Sequence, residues 1–204
     1  MVHEHRGERE MQVRMQSQPR AERFYQRQMK DRLLQPMVDL IQRQEMVFVA
    51  TADADGNCDC SPRFGSAGFV LVVNDTTLAY PEYRGNGVYA SLGNMLENPH
   101  AGLVFLDMFE STVGLHVNGR TSVHHPDELP VELAEYLEHH LVPLDTAVEC
   151  WVVLRVDEAY IHCSKHVPLL QRREKPINWG TDDPRAKGED FFRQPDCGNG
   201  SSTE

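Results

Sequence analysis

Residues 46–83 read MVFVATADADGNCDCSPRFGSAGFVLVVNDTTLAYPEY, and the hydrophobic period of this stretch decides the fold. Met46-Val47-Phe48-Val49-Ala50-Thr51 is a short, β-rich apolar run. Asp53-Ala54-Asp55-Gly56-Asn57 carries turn chemistry, and Cys58-Asp59-Cys60-Ser61-Pro62-Arg63 returns as the partner strand. The design repeats at once, with Phe69 to Val73, an Asn74-Asp75 turn and Thr76 to Pro81 forming a second hairpin.

Upstream, the apolar residues Phe24, Leu33, Leu34, Met37, Leu40 and Ile41 recur at helical spacings, and Pro36 predicts a split of residues 21–44 into two helices. Residues 1–20 are polar and rich in Arg, Glu and Gln, so a flexible arm is expected there. Downstream, Val88 to Glu97 fits a helix ended by Asn98-Pro99, because proline disfavours helical geometry in the residue before it. Strands follow at His100 to Leu106 and Thr112 to Val123, the latter with Gly119 where backbone or ligand can approach closely. A helix is expected within Pro126 to His140, a strand at Glu149 to Val156, and a short helix or extended segment at Tyr160 to Leu170. Many short strands with few peripheral helices predict a mainly β fold, a closed or nearly closed antiparallel barrel, over residues 21–180. Residues 181–204, with a glycine and serine tail from Cys197 to Ser202, read as an extension without assigned chemistry.

A chain of 204 residues, 40% hydrophobic and 25% charged, suits one domain with a sizeable core. Its formal net charge of −11 argues against a phosphate-tracking nucleic-acid surface. No apolar run approaches the roughly 18 residues of a membrane span, and the N-terminal residues lack the apolar centre of a secretory signal. The expectation is a cytoplasmic chain with no membrane or nucleic-acid partner. Cysteines number five, and Cys58 and Cys60 point to one face of a strand, which suits neither a disulfide framework nor a four-ligand zinc site.

Residues 83–94, YRGNGVYASLGN, join the fourth strand to the helix. Orphan amides at a helix start, glycines that admit close approach and the planar donor of Arg84 together suit an anion, phosphate above all. Asn86 and Ser91 add neutral donors, and Asn94 lies one turn beyond Ser91 on the same helical face. The plainer alternative is an N-capping loop that satisfies its own amides. Neither a Walker nor a dinucleotide fingerprint is present. A second cluster, SPRFGSAGF at residues 61–69, places Arg63 at a strand end beside a glycine-bracketed loop, where it can bond a phosphate or a heteroaromatic carbonyl.

In this order, the run from Cys58 to Asp107 followed by Gly114-Leu115-His116-Val117-Asn118-Gly119-Arg120 resembles the flavin-binding core of the pyridoxamine 5'-phosphate oxidase-like superfamily, the FMN-binding split barrels. Residues 158–168, EAYIHCSKHVP, are similar to the C-terminal segment of a bacterial subgroup of that superfamily. The resemblance implies a six-stranded antiparallel split barrel, a homodimer, and FMN at the subunit interface. Carried over by residue, it implies cofactor contacts from Ser61, Arg63, Phe69, Pro81, Arg84, Gly85, Asn86, Ser91, Asn94, Asn118, Arg120 and Lys165, with no metal. True pyridoxamine phosphate oxidases end in a tryptophan-rich segment and Arg-x-His that grip substrate phosphate. This sequence has INWGTDDPRAKGEDFF instead, so oxidation of that vitamin is not implied; Trp179 could cover a flavin edge, although a lone tryptophan in a tail is more often a packing anchor.

His162, Cys163, Lys165 and His166 form another constellation. On a helix His162 and His166 would share a face at i, i+4, yet two ligands do not make a metal site, and Lys165 or His162 at the mouth of the active site is the preferred reading. The functional expectation is an FMN-dependent oxidoreductase that exchanges electrons or hydride with a small organic substrate or a nicotinamide reductant. The alternative is a non-catalytic carrier or sensor of flavin, deazaflavin or haem.

Overall fold

The computed structural model describes residues 5–140, 142, 147–179, 181, 183, 185 and 192. Both sequence hairpins form. In β1 (Met46–Ala52), Val47, Val49 and Thr51 turn inward, and β1 pairs in antiparallel register with β2 (Cys58–Phe64) from Ala52↔Cys58 to Met46↔Phe64. Asp53 organises the turn. Its Oδ1 accepts the amides of Asp55 and Asn57 at 3.0 and 2.8 Å while Gly56 takes φ +85°. The second hairpin joins β3 (Leu71–Asn74) to β4 (Thr77–Tyr83), with Asn74 Oδ1 accepting the Thr76 amide at 3.0 Å.

Three further strands complete the sheet: β5 (His100–Leu106), β6 (Gly114–His124) and β7 (Val148–His162). The order is β2-β1-β5-β6-β7-β4-β3, antiparallel throughout, so the fold is the mainly β split barrel with peripheral helices. Among the described residues the strands number seven, one more than the resemblance implies. Strand β7, expected at Glu149 to Val156, lies between β6 and β4 and welds the two hairpin systems together. It runs to His162 because β6 continues to pair with it as far as Gly114↔His162, so residues 160–162, expected to open a short helix or extended segment, are extended and stay in the sheet. Gly119 does mark a close approach: an added Cβ would stand 2.0 Å from the Arg155 carbonyl oxygen at a register shift between β6 and β7, so the neighbour is backbone.

Strand β4 is buried along nearly all its length because it has a core on each face. Leu78 and Tyr80 join Val152 and Leu154 of β7 in the main core with Val47, Leu103, Phe105 and Val117. Ala79 faces the other way with Trp151 and Val153, and Leu133 and Leu137 of helix α5 (Val131–His139) cover them. Burying each such leucine contributes about 1.5–3 kcal/mol, enough to hold a nine-residue helix whose N-cap, Pro130, offers no side-chain acceptor.

At the N-terminus the expected arm holds a helix, α1 (Arg6–Arg14), antiparallel companion to α2 (Gln18–Arg27). Gln12 Nε2 donates to the Tyr25 hydroxyl at 2.6 Å, and that hydroxyl donates to Glu8 at 2.9 Å, so polar residues a composition argument leaves unstructured find each other across the pair. Pro36 splits nothing: it lies in the first turn of α3 (Gln35–Arg43), where its missing N–H is not needed, and residues 28–34 make the break. The fourth helix, α4 (Ala90–Glu97), begins two residues later than expected and packs on β1, β2 and β6. Residues 1–4 and most of 181–204, including the glycine and serine tail, lie outside the described residues.

Candidate cofactor-binding site

A cavity of about 620 Å³ opens where the end of β2, the end of β4, the loop into α4 and the C-terminal segment converge. The loop is shaped from within. Asn86 Oδ1 accepts the Val88 amide at 2.9 Å, Gly87 has φ +79°, and Tyr89, the N-cap of α4, is itself left-handed at φ +53°. The Tyr89 hydroxyl donates to Glu149 Oε2 on β7 at 3.0 Å and ties the loop to the sheet. No side chain caps α4, so the first-turn amides of Ala90, Ser91 and Leu92, which a helix leaves without internal partners, belong to residues of the cavity wall.

Seven of the twelve expected cofactor residues line this cavity: Ser61, Arg63, Pro81, Arg84, Gly85, Asn86 and Ser91. Trp179 lines it as well, with Asn178 and Thr181, delivered by an extended segment that returns from β7. That segment is anchored by the Leu170 amide on the Met108 carbonyl at 2.7 Å and by Arg172, whose Nη1 donates to both Glu45 oxygens at 2.8 Å while its guanidinium lies 5.0 Å from the Phe109 ring centre.

Five expected residues stand elsewhere. Phe69 is a core side chain packed so closely that a Cβ on Gly65 would meet it at 2.4 Å. Asn94 turns to the sheet and donates to Thr51 Oγ1 at 3.0 Å, one turn from Ser91, whose hydroxyl donates to Asp59 Oδ2 at 2.7 Å, so the shared helical face is real and points at β1 and β2. Asn118 donates to Glu158 at 2.8 Å and lines a separate cavity of about 430 Å³ with Cys58, Cys60 and His100. Arg120 pairs with Asp157 at 3.7 Å, and Lys165 is exposed in a single 3-10 turn, Ser164–His166.

That turn also removes the expected helical pairing of His162 with His166. His162 ends a strand, and its Nδ1 stands 2.9 Å from Nε2 of His116, which stacks on Tyr160 at 4.8 Å. Burial, with His162 alongside, pushes the His116 imidazole below its ordinary pKa. Among the described residues no group of three or more His, Cys, Asp or Glu side chains is placed to hold a metal ion.

Sequence reasoning missed the acids of the cavity, Asp59, Glu82 and Glu149. Arg63 does not hang free at its strand end: its Nε donates to both oxygens of Glu82, at 2.7 and 2.8 Å. Burial pushes the Glu82 carboxyl above its ordinary range, and Arg63's charge and hydrogen bonds oppose that shift. Across the β4–β7 register, Cys150 is pushed up to about 11 by burial and by the charges of Glu82 and Glu149. The signal was available in principle, since a lone carboxylate in an otherwise apolar buried strand requires a cation. Tyr80, two residues back on β4, is fully buried with a hydroxyl that meets no partner among the described residues.

The family model for pyridoxamine 5'-phosphate oxidase matches residues 33–163, from two residues before α3 to the residue after β7. The chain belongs to this family. The match covers all seven strands and the loop into α4. No curated protein matches the chain. Among solved structures, HupZ of Group A Streptococcus is 20% identical, covering 63% of this chain and 93% of its own with a TM-score of 0.48. A candidate pyridoxamine 5'-phosphate oxidase from Lactobacillus delbrueckii is 23% identical, covering 64% and 95%, also at 0.48. HutZ, the heme storage protein of Vibrio cholerae, is 14% identical, covering 63% and 94% at 0.42.

Proposed function

We propose that the chain is a flavoprotein that holds FMN in the 620 Å³ cavity and acts as an oxidoreductase on a small organic or nicotinamide partner. The observation that carries the reading is the convergence, in one cavity, of the uncapped first turn of α4, the open glycines Gly85 and Gly87, and two arginines from different elements. The donor set fits a phosphorylated ring: backbone amides and Arg84 for the phosphate, Arg63 and Ser61 as further donors, and Pro81, Val88 and Trp179 as apolar wall. When bound, FMN supplies the electron and hydride chemistry, and the protein supplies binding, orientation and electrostatics. Ser61, Arg63 and the loop would fix the ligand's position, and Trp179 would restrict water at the mouth. The reading includes a homodimer with FMN at the subunit interface, as the resemblance implies; the face bearing the 430 Å³ cavity, where Ala50, Cys58 and Cys60 are exposed and which adjoins the 620 Å³ cavity at Asp59, would belong to that interface.

The absorbance spectrum of freshly purified protein tests this. Flavin bands that bleach with dithionite, and FMN released on heating, are the expected result; a haem or deazaflavin spectrum, or a colourless protein that does not bind added FMN, overturns it. Arg63→Ala and Asn86→Ala are each expected to weaken FMN binding by roughly tenfold or more, the scale of one lost charge-assisted hydrogen bond.

A further inference from the structure

Arg63 enters the cavity with its charge already engaged. Its Nε serves both Glu82 oxygens, and its Nη1 reaches the Pro62 carbonyl at 3.4 Å. The two side chains are only 19% and 10% exposed, so this is a low-dielectric pair and not a surface ion pair. The charged and titratable groups around Glu82 are Arg63 and Asp59 of β2, Cys150 and Glu149 of β7, Tyr80 on its own strand, and Arg84 of the loop. An anion that draws the Arg63 Nε away from Glu82 leaves a buried carboxylate beside further acids, and such a carboxylate tends to bind a proton.

We propose that Glu82 is a built-in competitor for Arg63: an anionic ligand displaces its carboxylate from the guanidinium, and Glu82 takes up one proton from solvent as it is released. One O–H bond forms at Glu82, one ion pair is exchanged for another, and no electrons move. The pair thus screens ligands by anion strength and links binding to pH. With FMN as the ligand it rests on the flavin reading above. The burial that already pushes Glu82 upward supports the exchange, because the opposing effect is Arg63 itself.

Isothermal titration of FMN into wild-type protein and Glu82→Gln, from pH 7 to 9 in HEPES and in Tris, reads the proton directly. The wild type is expected to take up a measurable fraction of a proton, at most one per FMN, and to lose affinity as pH rises, by at most about tenfold per pH unit. E82Q is expected to take up none, to bind with flat pH dependence, and to be roughly tenfold tighter than wild type at pH 9. Cys150, at about 11, stays protonated across this window, and a phosphate monoester is already past its second ionisation near pH ~6. Carbon-13 carboxyl NMR of the wild type follows the same proton on a buried glutamate whether or not E82Q folds. FMN binding without proton uptake, or uptake unchanged in E82Q, overturns the proposal. If FMN fails to bind at any pH, the flavin reading falls by itself. Inorganic phosphate at millimolar concentration then decides: uptake abolished in E82Q supports the exchange, and no uptake overturns it.

Discussion

At Gly87 the backbone has φ +79° and no atom lies within 4 Å of where a Cβ would stand; at Gly119 the φ is ordinary but that Cβ would lie 2.0 Å from the Arg155 carbonyl oxygen. The two glycines answer different demands, conformation in the first and space in the second. Gly87→Ala is expected to cost about 1 kcal/mol, the scale of one residue forced left-handed, while Gly119→Ala must separate β6 from β7 and cost several times more. Urea denaturation of the two variants gives the comparison. His116 carries a pH dependence of its own. Its folded-state pKa is lowered by burial and by His162, so the folded chain binds fewer protons than the unfolded one. Its contribution is intact above the unfolded value near ~6.5 and is lost as pH falls through the folded value. Thermal melts between pH 4 and 8 should show wild type losing stability below ~6.5 more steeply than His116→Phe, which keeps a ring to stack on Tyr160.

At the scale of elements, the C-terminal segment has a positioning role separable from stability. It crosses the molecule as extended chain, held among the described residues by the Leu170 amide on the Met108 carbonyl, by the Arg172 guanidinium over Phe109, and by the Arg172–Glu45 pair, whose side chains are 55% and 42% exposed. Exposed pairs of this kind contribute about 0–1 kcal/mol, so Arg172→Ala should leave the unfolding midpoint nearly unchanged. It should nevertheless release Trp179 from the cavity wall. In a Trp151→Phe background Trp179 is the single tryptophan, and its emission should shift to the red with stronger acrylamide quenching when Arg172 is removed. An unchanged emission would show that the segment is held by other contacts. Strand β7 shows the converse: a fifteen-residue element paired with β6 and β4 over most of its length owes its extent to its neighbours.

For the molecule as a whole, the property that the proposed function constrains is assembly. None of the helices among the described residues is long and apolar enough to cross a membrane. The homodimer belonging to the proposed function predicts a light-scattering mass twice the 23.3 kDa of the chain. A monomer at micromolar concentration would remove the homodimer from the reading. The family match over residues 33–163 leaves the α1–α2 pair outside it, although this pair is docked on the sheet through Phe24 against Tyr160, edge to face at 5.7 Å.

The fold was legible because its carriers are local. Two hairpins with strong turns, an alternating β1 and a proline-terminated helix need no distant information, and the ordered motifs from Cys58 to Arg120 carry the family. The cavity was legible in part for the same reason: Ser61, Arg63 and the residue 83–94 loop sit at strand and helix ends, where sequence marks irregular backbone. What the sequence left open is everything set by pairing across long separations. Glu82 meets Arg63 nineteen residues away only because β2 and β4 end at one cavity, His116 meets His162 forty-six residues on through the β6–β7 register, and Phe69 belongs to the core because Gly65 lets its ring close over. Sequence determines where chain direction changes and which faces are apolar; which charge neutralises which is decided only when the sheet register brings side chains within a few ångströms, where burial makes the choice of partner energetically decisive.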